Sequence, residues 1–229
     1  MKDSHKRIIW DIPIVILIGI LVQIGGTYLV NAFCTGVPML GNKVPAFVLN
    51  AIKEYTHTIT DLTSTESKMI VYVICVAPMI EEFVFRILFF SNFVKLLPFW
   101  ASNILQAVLF GLYHGQLVQG LYAFLIGLII GRVFYSIRQQ LSQSLIRTLG
   151  AFLFSLLLHM TINASGLYLA PFLPAEYSPA VQVVIGLLCI NAVLFLAYVL
   201  DFRYNYFVGV RNKNTAEKHN SIREDLRDE

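Results

Sequence analysis

The chain has 229 residues, of which 57% are hydrophobic and only 14% charged, with 17 Lys and Arg against 14 Asp and Glu for a net charge of +3. Together with a mean hydropathy of +0.68, this excludes an ordinary soluble domain and points to an integral membrane protein. No basic cluster interleaved with aromatics marks a nucleic-acid binder. The three scattered cysteines, Cys34, Cys75 and Cys189, give neither metal spacing nor a disulfide framework and read as small packing residues.

A helix crosses a bilayer with about 20 apolar residues. The first candidate is Ile9–Phe33, behind Lys2, Lys6 and Arg7. It is too long for a signal-peptide core and lacks a small-residue cleavage site, so it is expected to be a retained span. Cys34 follows the bulky Phe33, which argues against a lipoprotein site, and the ending Leu226 to Glu229 is no prenylation signal. Val37–Ile52 is apolar but short, broken by Pro38, Gly41, Lys43 and Pro45. It is expected to be interfacial or re-entrant, with a seventh span as the alternative. Five further spans are expected at Met69–Val94, Leu97–His114, Leu117–Ile137, Thr148–Ala170 and Pro179–Leu200.

In this six-span arrangement Lys2, Lys6, Arg7, Lys95, Arg132, Arg138, Arg147, Arg203, Arg211 and Lys213 all fall on one side. On the other, Lys43, Lys53 and Lys68 are offset by Glu54, Asp61, Glu66 and Glu176. The excess of cations next to the spans puts both termini in the cytoplasm. The expected fold is therefore an all-α polytopic transmembrane bundle. Residues 1–67 form a first span and interfacial segment, 68–204 a core, and 205–229 a polar, frayed tail.

Against this apolar background the ionisable groups stand out. A charge at the bilayer centre costs roughly 2.5–3.5 kcal/mol even on the lenient insertion scale, so such groups face the interior and mark a pathway or reaction centre. Glu81, Glu82 and Arg86 share one span, His114 ends the next, and His159 and Asn163 share a later one. Neighbouring helical residues differ by about 100°, so the two glutamates point differently. Glu82 and Arg86, four apart in the acid-first order, suit an intrahelical ion pair, which leaves Glu81 free. Glu81 with His114 is a candidate for activating a water. His159 and Asn163, also four apart, present a ring nitrogen and an amide to one side and are candidates for holding an oxyanion. Phe110 reads as packing, as do Gln119, Gly120, Gly127 and Gly131.

These residues fall into a pattern. Glu81-Glu82-Phe-Val-Phe-Arg86 resembles the E-E-x-x-x-R motif of the CAAX-processing and bacteriocin-processing membrane endopeptidases, Phe110-Gly-Leu-Tyr-His114 resembles their F-x-x-x-H motif, and His159-Met-Thr-Ile-Asn163 resembles their H-x-x-x-N motif. The three occur in order over roughly Lys68 to Leu200. The resemblance implies a glutamate-dependent intramembrane protease of the short bacterial type, in the plasma membrane, acting on a peptide or membrane-protein substrate. Bacteriocin self-immunity and peptide maturation are the implied pathways. Glu81 and His114 would activate water, His159 and Asn163 would stabilise the tetrahedral intermediate, and Glu82, Arg86 and Phe110 would support the site. The expectation is chemistry without a cofactor. Zinc on Glu81, His114 and His159 is the alternative, although the compact H-E-x-x-H spacing is missing. Two other readings compete: a non-catalytic immunity or membrane partner protein, and a proton-coupled transporter using the same groups as a relay.

Overall fold

The computed structural model describes residues 9–63, 67–141 and 144–225, and the side chains of residues 10–61, 69–141 and 146–202. Within these the regular structure is entirely helical, joined by short connections. We number the helices α1 (Ile12–Gly36), α2 (Ala46–Thr63), α3 (67–96), α4 (Phe99–Tyr113), α5 (Leu117–Gln140), α6 (Ser144–Tyr168) and α7 (Pro179–Asp225). A 3-10 segment, Val37–Lys43, prolongs α1 and is kinked at Gly41, which takes φ +60, a conformation open mainly to glycine.

Among the described residues four helices are long and apolar enough to cross a membrane: α1 with its extension, α5, α6 and the first half of α7. The exposed side chains of α4 and α7 include Trp100, Ile104, Leu112, Leu188, Leu194 and Phe195, while Glu82, Arg86, Asn103, Gln106 and His159 are buried. An apolar exterior around a polar interior is the arrangement lipid demands. α4 is shorter than a full span and stops at Tyr113. Residues 67–96 form one line of helix carrying two π-helical stretches, Tyr72–Val76 and Phe83–Phe90.

Two expectations are corrected. Residues 37–52 are no single interfacial piece: their first part continues α1, and the rest opens α2, an 18-residue helix. Its charged residues Lys53, Glu54, His57 and Asp61 are exposed while Ile52 is buried. The polar tail is also not frayed at the backbone, because α7 runs on to Asp225.

The helices meet through small residues. α1 packs antiparallel on α7, where a Cβ at Gly25 would come within 2.9 Å of Cys189, and parallel to α6, where Gly19 abuts Thr161 and Gly166 abuts Gln23. α4 and α5 approach backbone to backbone: a Cβ on Gly111 would lie 2.6 Å from the Gly120 carbonyl oxygen. Further along, Gly127 faces Ala107, and Gly131 faces the carboxamides of Asn103 and Gln106. Without a hydrophobic drive between helices in lipid, such close approach is what associates them. At the far end Arg132 pairs with Asp201, which also accepts a hydrogen bond from Ser136, and stacks on Phe99 and Trp100.

Gly131→Ala should drive a methyl into the two carboxamides and destabilise the bundle by about 1–3 kcal/mol. Gly36→Ala, whose methyl would meet only Pro179 at 3.4 Å, should change stability by no more than about 0.5 kcal/mol. Thermal unfolding of both variants in detergent checks the contrast.

Candidate active site

The site begins with a proline. In the first π-helical stretch of α3 the Ala77 N–H reaches back to the Tyr72 carbonyl. The next residue, Pro78, has no N–H to offer. The Val73 carbonyl is thereby left without a helical donor, and the Asn163 amide of α6 supplies one, donating across 2.9 Å. This bond ties α6 to α3 one turn from His159. The second π-helical stretch starts directly after Glu82, and such bulges re-aim side chains, often at functional sites.

Glu82 is fully buried and forms an ion pair with Arg86, Oε2 to Nε at 2.9 Å, with neither side chain exposed. Its other oxygen lies 2.9 Å from His159 Nδ1. A carboxylate only accepts, so Nδ1 carries the proton and donates to Glu82. His159 Nε2 then points the opposite way and lies 3.6 Å from Glu81 Oε2. The two glutamates do point differently, as helix geometry requires, yet both meet the same imidazole, one at each nitrogen. The Glu81 side chain is 13% exposed and faces a cavity of about 360 Å³.

His114 caps the C-terminus of α4, and Gly115 at φ +71 turns the chain immediately after it. Its Nδ1 lies 2.8 Å from the Phe110 carbonyl. A carbonyl is likewise only an acceptor, so Nδ1 carries a proton and Nε2 is the nitrogen left for a base or ligand role. His114 is within electrostatic reach of Glu81, and both line the cavity with His159, Asn163 and Phe110. The buried ring of Phe110 meets His114 and His159 edge-on, with centroids at 4.8 Å and 5.8 Å, and the Arg86 guanidinium lies 5.4 Å from its centre. Arg86 Nη2 has no hydrogen-bond partner, and its Nε meets Glu82 Oε2 as an ion pair without hydrogen-bond geometry, so contact with the ring face offsets part of its desolvation.

Behind the ion pair runs a network that the sequence reading did not single out. Arg86 Nη1 donates to Gln106 Oε1. The Gln106 amide donates to Asn103 Oδ1 at 2.8 Å and to the Gly127 carbonyl at 2.9 Å. Asn103 donates to the Leu128 carbonyl at 3.0 Å. The only available signal was two carboxamides three residues apart in an otherwise apolar stretch. Gln119, read as packing, lies on the cavity wall instead, with Gln23, Thr27, Asn31, Tyr55 and Tyr122.

α2 closes one side of the cavity through Tyr55, Thr58 and Ile59, held by Gln116 donating to Thr58 Oγ1 at 2.9 Å. Burial pushes the Tyr55 phenol up to about 12, so it lines the cavity as a neutral hydroxyl. Among the described residues no three His, Cys, Asp or Glu side chains are grouped closely enough to hold a metal ion. Glu81, His114 and His159 thus share a cavity without forming a ligand set as they stand.

A carboxylate flanked by two imidazoles and an amide, on a cavity inside a membrane bundle, has the makings of a hydrolytic centre. Residues 63–165 match the family model described as Rce1-like, type II CAAX prenyl endopeptidase. That segment holds all three motifs, and the match supports membership of the CAAX-processing family, whose members are membrane proteases. No curated protein and no solved structure matches the chain.

Glu82→Gln should leave Arg86 buried without its counter-charge and destabilise the protein by about 3–5 kcal/mol. Normal thermal stability of this variant in detergent would contradict the structural role of the pair.

Proposed function

We propose that the protein is an intramembrane endopeptidase that hydrolyses peptide bonds of a membrane-associated peptide or protein through a water activated by Glu81. The observation that carries this reading is the placement of His159 between the two glutamates, on the wall of a cavity that also takes Glu81, His114 and Asn163. Glu81 is the cavity's carboxylate, and His114, with its Nε2 lone pair free, is the second base. Water loses a proton to Glu81 and adds to the scissile carbonyl carbon. The resulting oxyanion is met by the second N–H of Asn163, the first being held by Val73. Glu81 passes the water's proton to His159 Nε2, 3.6 Å away, which then donates to the oxyanion while Nδ1 donates to Glu82. The C–N bond then breaks, and the departing amine takes the proton that Glu81 received. Glu82 and Arg86 do not touch substrate in this scheme; they orient His159.

The cavity is lined by the second half of α1, by α2, and by the first half of α3, the end of α4, the start of α5 and the end of α6, all at one end of the bundle. Under the six-span orientation expected from the loop charges, that end faces away from the cytoplasm. Multi-pass insertion in a bacterial plasma membrane and a role in bacteriocin self-immunity or peptide maturation complete the reading.

Glu81→Gln, His114→Ala and His159→Ala should each lower peptide cleavage by about 10²-fold or more while the proteins still accumulate in membranes. Full activity of any of the three in a reconstituted assay removes that residue from the mechanism.

A further inference from the structure

The wall of the cavity away from the glutamates is polar and, among the described residues, carries no lysine or arginine. On α1, Gln23, Thr27 and Asn31 are spaced four apart and all face the cavity, a stripe about 12 Å long at 1.5 Å per residue. Gln23 sits against Gly166 of α6, one turn beyond Asn163, so the stripe leads outward from the reaction centre. Gln119 and Tyr122 of α5 line the same cavity. Polar residues in membrane helices ordinarily bond one helix to another. That accounts for Gln23, which donates to Thr27 at 3.1 Å and is approached by the Tyr122 hydroxyl. It does not account for Asn31 and Gln119, whose carboxamides have no hydrogen-bond partner among the described residues.

A peptide must be extended at the bond being cut, and an extended segment inside a membrane protein has lost the helical partners of its N–H and C=O groups. A carboxamide offers a donor and an acceptor together, the complement of a peptide unit. We propose that the Gln23–Thr27–Asn31 stripe, with Gln119 on α5, is a main-chain subsite for an extended internal peptide segment with no carboxylate beside the scissile bond. The inference rests on the endopeptidase reading above and names its substrate class. The stripe's length matches about four residues of extended chain at 3.3 Å each. No lysine or arginine lies among the described residues lining the cavity, and its carboxylate is Glu81. Arg86 is shut off behind, with no exposed surface. A substrate carboxylate in those four positions, whether a side chain or a free chain end, would be desolvated without a counter-charge and face Glu81. The subsite therefore selects neutral or cationic segments within a longer chain.

The test uses the purified full chain in detergent and a library of internally quenched peptides. Each peptide is made in two forms, with an amidated end or with a free carboxylate two residues beyond the scissile bond. The amidated forms should be cleaved at least about tenfold more efficiently in kcat/KM. Asn31→Leu and Gln119→Leu should each raise KM about tenfold with little change in kcat, while Asn31→Gln restores most of the affinity; thermal unfolding confirms that each variant is folded. Equal or better cleavage of the free-carboxylate forms, or an unchanged KM in Asn31→Leu, overturns the subsite and leaves the endopeptidase reading standing. If no peptide is cleaved by the wild-type chain, the endopeptidase reading falls and takes the subsite with it.

Discussion

Taking a carboxylate and a guanidinium fully out of water costs several kcal/mol per ion, and their mutual attraction offsets this only when further partners satisfy both. Much of the bundle's interior is arranged around that requirement at Glu82 and Arg86. Glu82 divides its oxygens between Arg86 and His159. Arg86 divides its donors and faces between Glu82, Gln106 and the ring of Phe110. Gln106 in turn leans on Asn103 and on the backbone of α5. The chain of contacts crosses α6, α3, α4 and α5, so the pair acts as the joint at which four helices are registered. The close crossings at Gly111, Gly127 and Gly131 follow from it, because α4 must lie close enough to α5 for two carboxamides to reach main-chain carbonyls.

In the proposed mechanism the same joint aims the chemistry. With Nδ1 committed to a carboxylate locked by Arg86, the orientation of His159 is set from behind, and its free nitrogen meets Glu81 at the cavity. His114 is fixed in the same manner by a main-chain carbonyl. Both imidazoles thus have one nitrogen spent on position and one left for reaction. Rigid helices and buried partners achieve this without a loop, as the proposed substrate site would require. Asn163 adds an economy: the carbonyl orphaned by Pro78 fixes one of its N–H groups and leaves the other for the cavity.

The stretches that became α1, α5, α6 and the first half of α7 were legible because length and hydropathy suffice to mark them. The pairing of Glu82 with Arg86 was legible from four-residue spacing. So was the sharing of one side by His159 and Asn163. Beyond that, helical periodicity is silent. It separates Glu81 from Glu82 but cannot reveal that one imidazole from α6 slots between them, because that depends on how two helices are registered. It does not show π-helical stretches, whose cause here is partly a missing N–H at Pro78. Asn103 and Gln106 were overlooked because an isolated carboxamide in an apolar stretch resembles ordinary helix–helix glue. Gln119 was misjudged because one glycine-rich stripe of α5 packs while its first turn opens onto the cavity. The amphipathic α2 was masked by the glycine and prolines before it.

The central claim is that Glu82 holds His159 by Nδ1 and leaves Nε2 facing Glu81. Nitrogen NMR of the imidazoles in isotopically labelled protein tests it directly, since the chain has only five histidines and a His159→Gln variant identifies the resonance. A His159 ring protonated at Nδ1 is expected, with that signature lost in Glu82→Gln. A His159 ring whose Nδ1 is unprotonated, or one indifferent to the loss of Glu82, would contradict it.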